Sequence, residues 1–219
     1  MTPLLDHLAR RIRADGPIGI AEYMAEVLTH PEHGYYSRQD PFGAAGDFIT
    51  APEISQMFGE LIGLWCVDTW RNLGAPTPVR LVELGPGRGT LMADLLRAAR
   101  LDPAFLAAAE VHLVEVSPAL RARQRQSLAG TAVTWHDDLA GLPDGPLLLI
   151  ANEFFDALPI RQYQRLADGW AERLIGFDDA RQALAFGLGP VLPPFAHPEL
   201  PDAPEGTIAE VCPAGRTAM

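Results

Sequence analysis

The amino-acid sequence contains very little cysteine, and this scarcity excludes two kinds of stabilising site. Its two cysteines, Cys66 and Cys212, lie far apart and form no Cys-x-x-Cys pair. A disulfide framework or a zinc site would require more cysteines at short, regular spacings. We therefore expect reduced thiols, no metal site and a cytoplasm-like compartment.

Basic residues and long apolar runs are scarce as well. Lys and Arg together number 17 against 28 Asp and Glu, so the formal net charge is −11. Nucleic-acid-binding surfaces need clustered cations, and this charge balance therefore favours a basic peptide or a small molecule as the partner. Because no apolar run approaches the ~20 residues that cross a bilayer, we expect no membrane span.

Short apolar runs alternate with helical patterns from Pro78 onwards, and 48% hydrophobic residues suffice for a buried core. The predicted strands are residues 79–84, 111–116, 132–136 and 147–151, and the helices between them include residues 90–100 and 118–128. This order is typical of βαβ units. It predicts an α/β fold with a parallel, Rossmann-like sheet.

The segment before this alternation is helical. Two amphipathic helices are predicted before residue 30, and Thr50 and Glu53 have the capping-box spacing that begins a third, which ends near Gly74. The apolar stripe of this third helix consists of Ile54, Met57, Phe58, Leu61, Ile62, Trp65, Trp70 and Leu73. Helices usually bury such a stripe, so we expect it to pack on the core.

Beyond Pro159 the pattern becomes antiparallel. Residues 161–166 and 170–177 flank a hairpin turn, and residues 187–206 are dense in proline and predicted to form a surface loop. We therefore divide the chain into an N-terminal helical extension with a cofactor-covering loop, residues 1–77, and a Rossmann-like domain, residues 78–219. The antiparallel part is an insertion into that domain at about residues 160–206.

A glycine loop follows the first predicted strand and precedes a helix. It comprises Gly85, Pro86, Gly87, Arg88, Gly89 and Thr90. Glycines at this place let backbone N–H groups approach a ligand, and the helix N-terminus favours negative charge. The spacing fits neither the Gly-x-Gly-x-x-Gly of dinucleotide sites nor a P-loop, so a nicotinamide-dependent oxidoreductase is disfavoured.

Acidic residues stand at the ends of three successive predicted strands. Glu83 can face the ammonium group of a methionine moiety or merely cap the loop, and Glu115 can accept both hydroxyls of a ribose. Of Asp137 and Asp138, one can accept from an adenine amino group while the other caps the next turn. Ligands of open α/β sheets gather at these strand ends, so the acids and the glycine loop together predict an S-adenosylmethionine (SAM) site.

The fourth predicted strand leads into a polar segment where a substrate can meet the sulfonium methyl group. Asn152, Glu153 and Asp156 lie in it. A carboxylate here can hold and deprotonate an arginine side chain, so these residues are the catalytic candidates. The alternative is a helix start with Asn152 as its cap and Phe154 and Phe155 in the core.

Several longer motifs resemble one known family, the MidA family of SAM-dependent methyltransferases. They are Gly34-Tyr35-Tyr36, Asp40-Pro41-Phe42-Gly43, Gly46-Asp47-Phe48-Ile49-Thr50-Ala51-Pro52-Glu53-Ile54-Ser55-Gln56, Val82-Glu83-Leu84-Gly85-Pro86-Gly87-Arg88-Gly89, Asn152-Glu153-Phe154-Phe155-Asp156-Ala157-Leu158-Pro159 and Glu210-Val211-Cys212-Pro213-Ala214. The resemblance implies a class I methyltransferase fold with SAM as cofactor. It also implies that Gly46, Asp47 and Thr50 belong to a loop that closes over the SAM pocket, although a tight turn and helix cap explain this segment equally well.

The resemblance also implies a protein partner. Mitochondrial members of the family are complex I assembly factors that dimethylate an arginine on the 49 kDa subunit, so we expect a protein arginine methyltransferase, with homo-oligomerisation left open. The compartment is the cytoplasm in a bacterium or the mitochondrial matrix in a eukaryote. Family chains continue past the Cys-Pro-Ala motif, so the sheet is expected to be incomplete at its C-terminal side, with residues 147–150 at an exposed edge.

Two other functions fit the same motifs. A small-molecule methyltransferase would use the same cofactor residues, and a non-catalytic assembly factor could retain the fold as a scaffold. SAM binding and labelled-methyl transfer distinguish these from a protein methyltransferase.

Overall fold

The computed structural model describes residues 2–35, 50–192 and 203–217. Its α-helices are α1 (Pro3–Asp15), α2 (Ile20–Thr29), α3 (Ala51–Ile54), α4 (Gln56–Asn72), α5 (Thr90–Ala99), α6 (Pro103–Ala108), α7 (Pro118–Ser127) and α8 (Pro213–Thr217). Its strands are β1 (Ile18–Gly19), β2 (Val79–Leu84), β3 (Ala109–Val114), β4 (Val133–His136), β5 (Leu147–Ile150), β6 (Arg161–Leu166), β7 (Gly169–Asp178), β8 (Ala183–Leu192) and β9 (Ile208–Val211). None of the helices in these ranges is long and apolar enough to cross a membrane.

Internal contacts divide the chain into two compact units. The first consists of Met1–Asp40 and Ala157–Met219, and the second of Pro41–Asp156. The boundary between residues 77 and 78, drawn from the sequence, remains a prediction.

The second unit contains a four-stranded parallel sheet in the order β4-β3-β2-β5. Strand β2 lies at its centre and is almost entirely buried, as expected for a parallel strand covered on both faces. The predicted α/β fold is confirmed, and β2 has the predicted ends. Strand β3 begins two residues earlier than predicted and ends at Val114, so Glu115 follows the strand instead of lying within it.

The predicted helix from Thr50 to Gly74 is wrong in two respects. Ser55 is extended and divides it into α3 and α4, and Thr50 precedes α3 without a side-chain capping bond. The predicted stripe is also largely exposed: Ile54 is 70% and Met57 64% accessible. Its other largely exposed members are Leu61, Trp65 and Leu73.

Glycine explains which face of α4 is buried instead. Gly59 and Gly63 lie so close to α5 that an added Cβ would stand 2.6 Å from the Cβ of Asp94 or 2.5 Å from the backbone oxygen of Leu95. The two helices therefore pack backbone to backbone, and Cys66, Val67 and Trp70 continue the buried face into the core beneath the sheet.

The first unit contains an antiparallel sheet in the order β1-β7-β6-β9, with β8 also paired to β7. Helices α1 and α2 pack on it through a cluster that includes Leu8, Ile12 and Ile175. The predicted hairpin of β6 and β7 is confirmed. The predicted surface loop at residues 187–206 is wrong in its first part, because β8 continues to Leu192; residues 193–202 lie outside the described ranges.

Candidate cofactor-binding site

The glycine loop connects β2 to α5 through three left-handed residues. Gly85, Gly87 and Gly89 have φ angles of 59°, 54° and 81°, and Gly89 is the N-cap of α5. Residues with a Cβ adopt this region at a cost, so the sequence Gly-x-Gly-x-Gly is required by the path of the backbone. The turn leaves the N-terminus of a ten-residue helix facing the carboxyl edge of the sheet.

Phe154 connects the predicted substrate segment to this loop. A Cβ added to Gly85 would lie 2.8 Å from Cδ2 of the Phe154 ring, so the ring covers the first glycine. Phe154 also packs with the apolar residues Leu84 and Val114 at the ends of β2 and β3. The segment that follows β5 is thereby held beside the glycine loop.

Glu83 is a buried carboxyl group with only part of its hydrogen-bonding capacity used. It is 3% exposed, it accepts a hydrogen bond from the backbone N–H of Met92 in α5, and its Oε2 has no partner among the described residues. Burial raises the pKa of Glu83 to about 8, against the lowering effect of the Met92 hydrogen bond. The carboxyl group thus caps the helix with one oxygen and leaves the other available for a cationic ligand.

Glu115 is also buried, but its carboxylate has more donors. Oε1 accepts from the backbone N–H of Ser117 at 2.8 Å, and Oε2 accepts from Nε2 of Gln124 at 3.2 Å. Burial raises the pKa of Glu115, while these hydrogen bonds act in the opposite direction. The backbone N–H of Val116 also donates to this carboxylate, so only part of its acceptor capacity remains for a ribose.

Asp137 and Asp138 differ clearly in their contacts. Asp138 caps a short 3-10 turn by accepting from the backbone N–H of Gly141 at 3.2 Å. Asp137 is exposed and accepts from Arg121 at 2.7 Å. The acid that serves the turn is therefore Asp138, and Asp137 remains the candidate for the predicted contact with an adenine amino group.

Helix α7 supplies three polar residues that sequence reasoning missed. Arg121 donates to the backbone oxygens of Glu115 and His136, Gln124 donates to that of Gly87, and Ser127 donates to that of Arg88. These residues recur at three-residue steps on one helix face, which is the only signal that the sequence offered. They connect α7 to the ends of β3 and β4 and to the glycine loop.

The segment after β5 forms a 3-10 turn, Phe155–Ala157, instead of the helix start considered as the alternative. Glu153 has a φ angle of 49°, which is unusual for a residue with a side chain, and its carboxylate is exposed. Asp156 is exposed too, and Phe155 is 40% accessible, so only Phe154 packs inward. Strained backbone at a candidate catalytic residue is consistent with a functional site.

Two of the residues expected in the covering loop, Gly46 and Asp47, lie outside the described residues. The end of that motif is described. Glu53 accepts a hydrogen bond from the hydroxyl of Thr90 at 2.7 Å and lies 3.7 Å from a guanidinium nitrogen of Arg88. Helix α3 is thus held against the start of α5.

A separate polar group lies in the first unit. His7 Nε2 is 3.2 Å from Oε2 of Glu26, whose other oxygen accepts from Arg11, and His30 lies close to both His7 and Glu26. Nδ1 of His30 accepts from two backbone N–H groups, so its ring proton is on Nε2. A metal ligand needs a lone pair at that nitrogen, so we assign no metal to this group.

Comparison with known proteins identifies the family. The model of the S-adenosyl-L-methionine-dependent methyltransferases matches residues 61–219. The chain belongs to this family. That membership confirms the resemblance, the class I methyltransferase fold and SAM as the cofactor of the family.

Relatives of this methyltransferase-family chain are longer than it is. The protein arginine methyltransferase NDUFAF7 of Xenopus tropicalis mitochondria is 44% identical over 96% of this chain and 55% of the relative, and that of Homo sapiens is 40% identical over 97% and 54%. The crystal structure of a Burkholderia thailandensis protein bound to S-adenosyl-homocysteine has a TM-score of 0.78 to this chain at 34% sequence identity. The match covers 98% of this chain and 57% of that protein. The chain therefore spans about half the length of these relatives.

Proposed function

We propose that the chain binds SAM at the carboxyl edge of the parallel sheet and transfers its methyl group to an arginine of a protein. The main support for the proposal is buried Glu83 beside the left-handed glycine loop, because its Oε2 has no hydrogen-bond partner among the residues that the structure describes. An ammonium group is the natural partner of such a carboxylate, because it supplies both charge and hydrogen bonds.

The described residues fit the three parts of the cofactor. Glu83 would hold the methionine ammonium group, and the N-terminus of α5 behind the glycine loop would favour the methionine carboxylate. Glu115 would accept the ribose hydroxyls, and Asp137 the adenine amino group. Thr90 begins α5, where its hydroxyl orders the loop through Glu53.

When bound, SAM supplies a methyl group on a positively charged sulfur. A guanidinium nitrogen forms the new C–N bond while the C–S bond breaks, sulfur retains the electron pair, and S-adenosyl-homocysteine leaves. The nitrogen must also lose a proton, and in this proposal the exposed carboxylates of Glu153 and Asp156 would orient the guanidinium and accept that proton. Asn152 would assist in positioning.

The relatives support a protein substrate, because they are named protein arginine methyltransferases of mitochondria. The net charge of −11 favours a basic target segment. We extend the proposal to a subunit of the 49 kDa type of respiratory complex I as the target, in the matrix of a mitochondrion or the cytoplasm of a bacterium. A homo-oligomer would also be compatible.

Calorimetry with SAM, followed by transfer of labelled methyl groups, tests the proposal. We expect saturable SAM binding and label on arginine of a protein in extracts that lack endogenous methyltransferase. Label that appears only in small molecules would contradict the protein substrate. Absence of SAM binding by a folded sample would contradict the activity itself and favour a scaffold.

A further inference from the structure

Gln124 is the only fully buried glutamine in the described part of the chain, with 0% of its surface exposed. Its Nε2 donates to the backbone oxygen of Gly87 at 2.7 Å and to Oε2 of Glu115 at 3.2 Å, and its Oε1 accepts from the indole Nε1 of Trp135 at 2.9 Å. One amide therefore joins the glycine loop, the end of β3 and a residue of β4.

The chemistry of the partners determines which way the amide points. The Trp135 indole can only donate, so the oxygen of Gln124 must face it. The backbone oxygen of Gly87 and the carboxylate of Glu115 are acceptors, so both amide hydrogens face them. The guanidinium of Arg125 lies 4.8 Å from the centre of the Trp135 ring and packs on it. No other orientation of the amide satisfies all three partners.

The glycine loop also rests directly on this side chain. A Cβ added to Gly89 would be 3.4 Å from Cγ of Gln124. Movement of Gln124 would therefore change two things at once: the place of the loop and the direction of the Glu115 carboxylate. A buried amide destabilises the folded state unless each of its polar groups is hydrogen-bonded. If this position served packing alone, an apolar residue would fill it without that requirement.

We propose that Gln124 is a positioning residue for the cofactor, which holds the Glu115 carboxylate in the orientation that accepts the two ribose hydroxyls. This inference rests on the proposed function, because it requires SAM or its product at the site. The backbone N–H of Ser117 donates to one oxygen of Glu115 and Gln124 donates to the other, so the two contacts together fix the rotation of the carboxylate. Without Gln124, the carboxylate would lose the hydrogen bond that fixes its Oε2.

A pair of ligands separates this role from general support of the fold. We would measure by calorimetry the binding of S-adenosyl-homocysteine and of its analogue without the 2′ and 3′ hydroxyls. The wild-type protein should prefer the complete ligand by roughly 10- to 100-fold, the range expected for hydrogen bonds to a charged group. Gln124→Leu should lose most of this preference, because a displaced glycine loop weakens both ligands alike, whereas only the complete ligand also loses the oriented Glu115 carboxylate.

Gln126→Leu is the matched control, because Gln126 is an exposed glutamine on the same helix, and it should retain the preference. If Gln124→Leu fails to fold by circular dichroism, Gln124→Met serves instead. Its thioether side chain is similar to glutamine in length and flexibility but donates no hydrogen to Glu115, so this variant should also lose the preference.

Equal weakening of both ligands, or an unchanged preference in the folded variant, would overturn the positioning role while leaving the SAM site intact. A folded wild-type protein that binds neither ligand would overturn the proposed function and this inference together.

Discussion

Replacement of Glu83 by glutamine tests whether a buried, partly unpaired acid stands at the centre of the site. The pKa of Glu83 is raised to about 8 by burial, from an ordinary value of 4.5. Between these two values the folded protein holds a proton that the unfolded chain releases. The contribution of this group to stability is therefore complete below pH 4.5 and is lost as the pH rises towards 8.

The size of this pH effect on stability follows from the shift in the pKa of Glu83. A difference from 4.5 to about 8 corresponds to a loss of about 5 kcal/mol in the free energy of unfolding at alkaline pH. Glu83→Gln has no group that titrates at this position. The free energy of unfolding of the wild type should therefore fall relative to that of the variant as the pH rises from about 4.5 to about 8, so measurements between about pH 5 and about pH 9 should show the difference. Urea unfolding at several pH values measures it, with Glu110→Gln, an exposed acid on β3, as the control.

Binding of a ligand with an ammonium group should make Glu83 release its proton. If Glu83 receives the ammonium group of S-adenosyl-homocysteine, it must ionise, and at pH 7 a group with a pKa of about 8 releases about 0.9 proton. Calorimetry in two buffers of different ionisation enthalpy counts that proton, and Glu83→Gln should not release it. Tight wild-type binding without proton release would refute the pairing of Glu83 with the ammonium group.

Other substitutions test the loop, the packing and the chemistry. Gly85→Ala should lower stability by about 1–3 kcal/mol and weaken SAM binding, because its Cβ meets the Phe154 ring; thermal unfolding and calorimetry measure this, and unchanged values would contradict it. Gly63→Ala should lower the free energy of unfolding, measured in urea, by about 2–4 kcal/mol, because its Cβ would meet the Leu95 backbone. As a control, Ala122→Gly at an exposed helix position should lower it by only about 1 kcal/mol. Similar losses in the two variants would contradict the close packing of α4 on α5. Glu153→Gln should reduce methyl transfer at least about tenfold with SAM affinity unchanged, and full activity would remove Glu153 from the chemistry.

Local patterns predicted the part of the fold that carries the site. Four of the six residues of strand β2 are apolar, and the glycines after it specify left-handed turns, so both its end and the start of α5 at Thr90 were predicted correctly. The roles of Asp137 and Asp138 required coordinates, because both can cap a turn in sequence terms. They are distinguished by their contacts in the fold: Asp138 accepts from Gly141, and Asp137 accepts from Arg121.

The failed predictions have a common cause. Hydrophobic periodicity counts apolar side chains, whereas α4 is buried through Gly59 and Gly63, which carry no hydrophobic signal. The same limit concealed β8, whose glycines and proline indicate a loop although β7 pairs with it along its length. Gln124 was missed because its three partners come from separate segments.

The two buried acids of the proposed site differ in how fully their oxygens are hydrogen-bonded. Glu115 receives hydrogen bonds on both of its oxygens, whereas Glu83 has one oxygen that no described residue contacts. An unsatisfied buried acceptor costs about 1–3 kcal/mol, and no residue in the described ranges donates to this oxygen. A purely structural helix cap would need only one oxygen and would be served as well by a neutral glutamine. The proposed SAM site would supply a partner for this oxygen, so Glu83 is the group whose removal should distinguish a functional site from a scaffold.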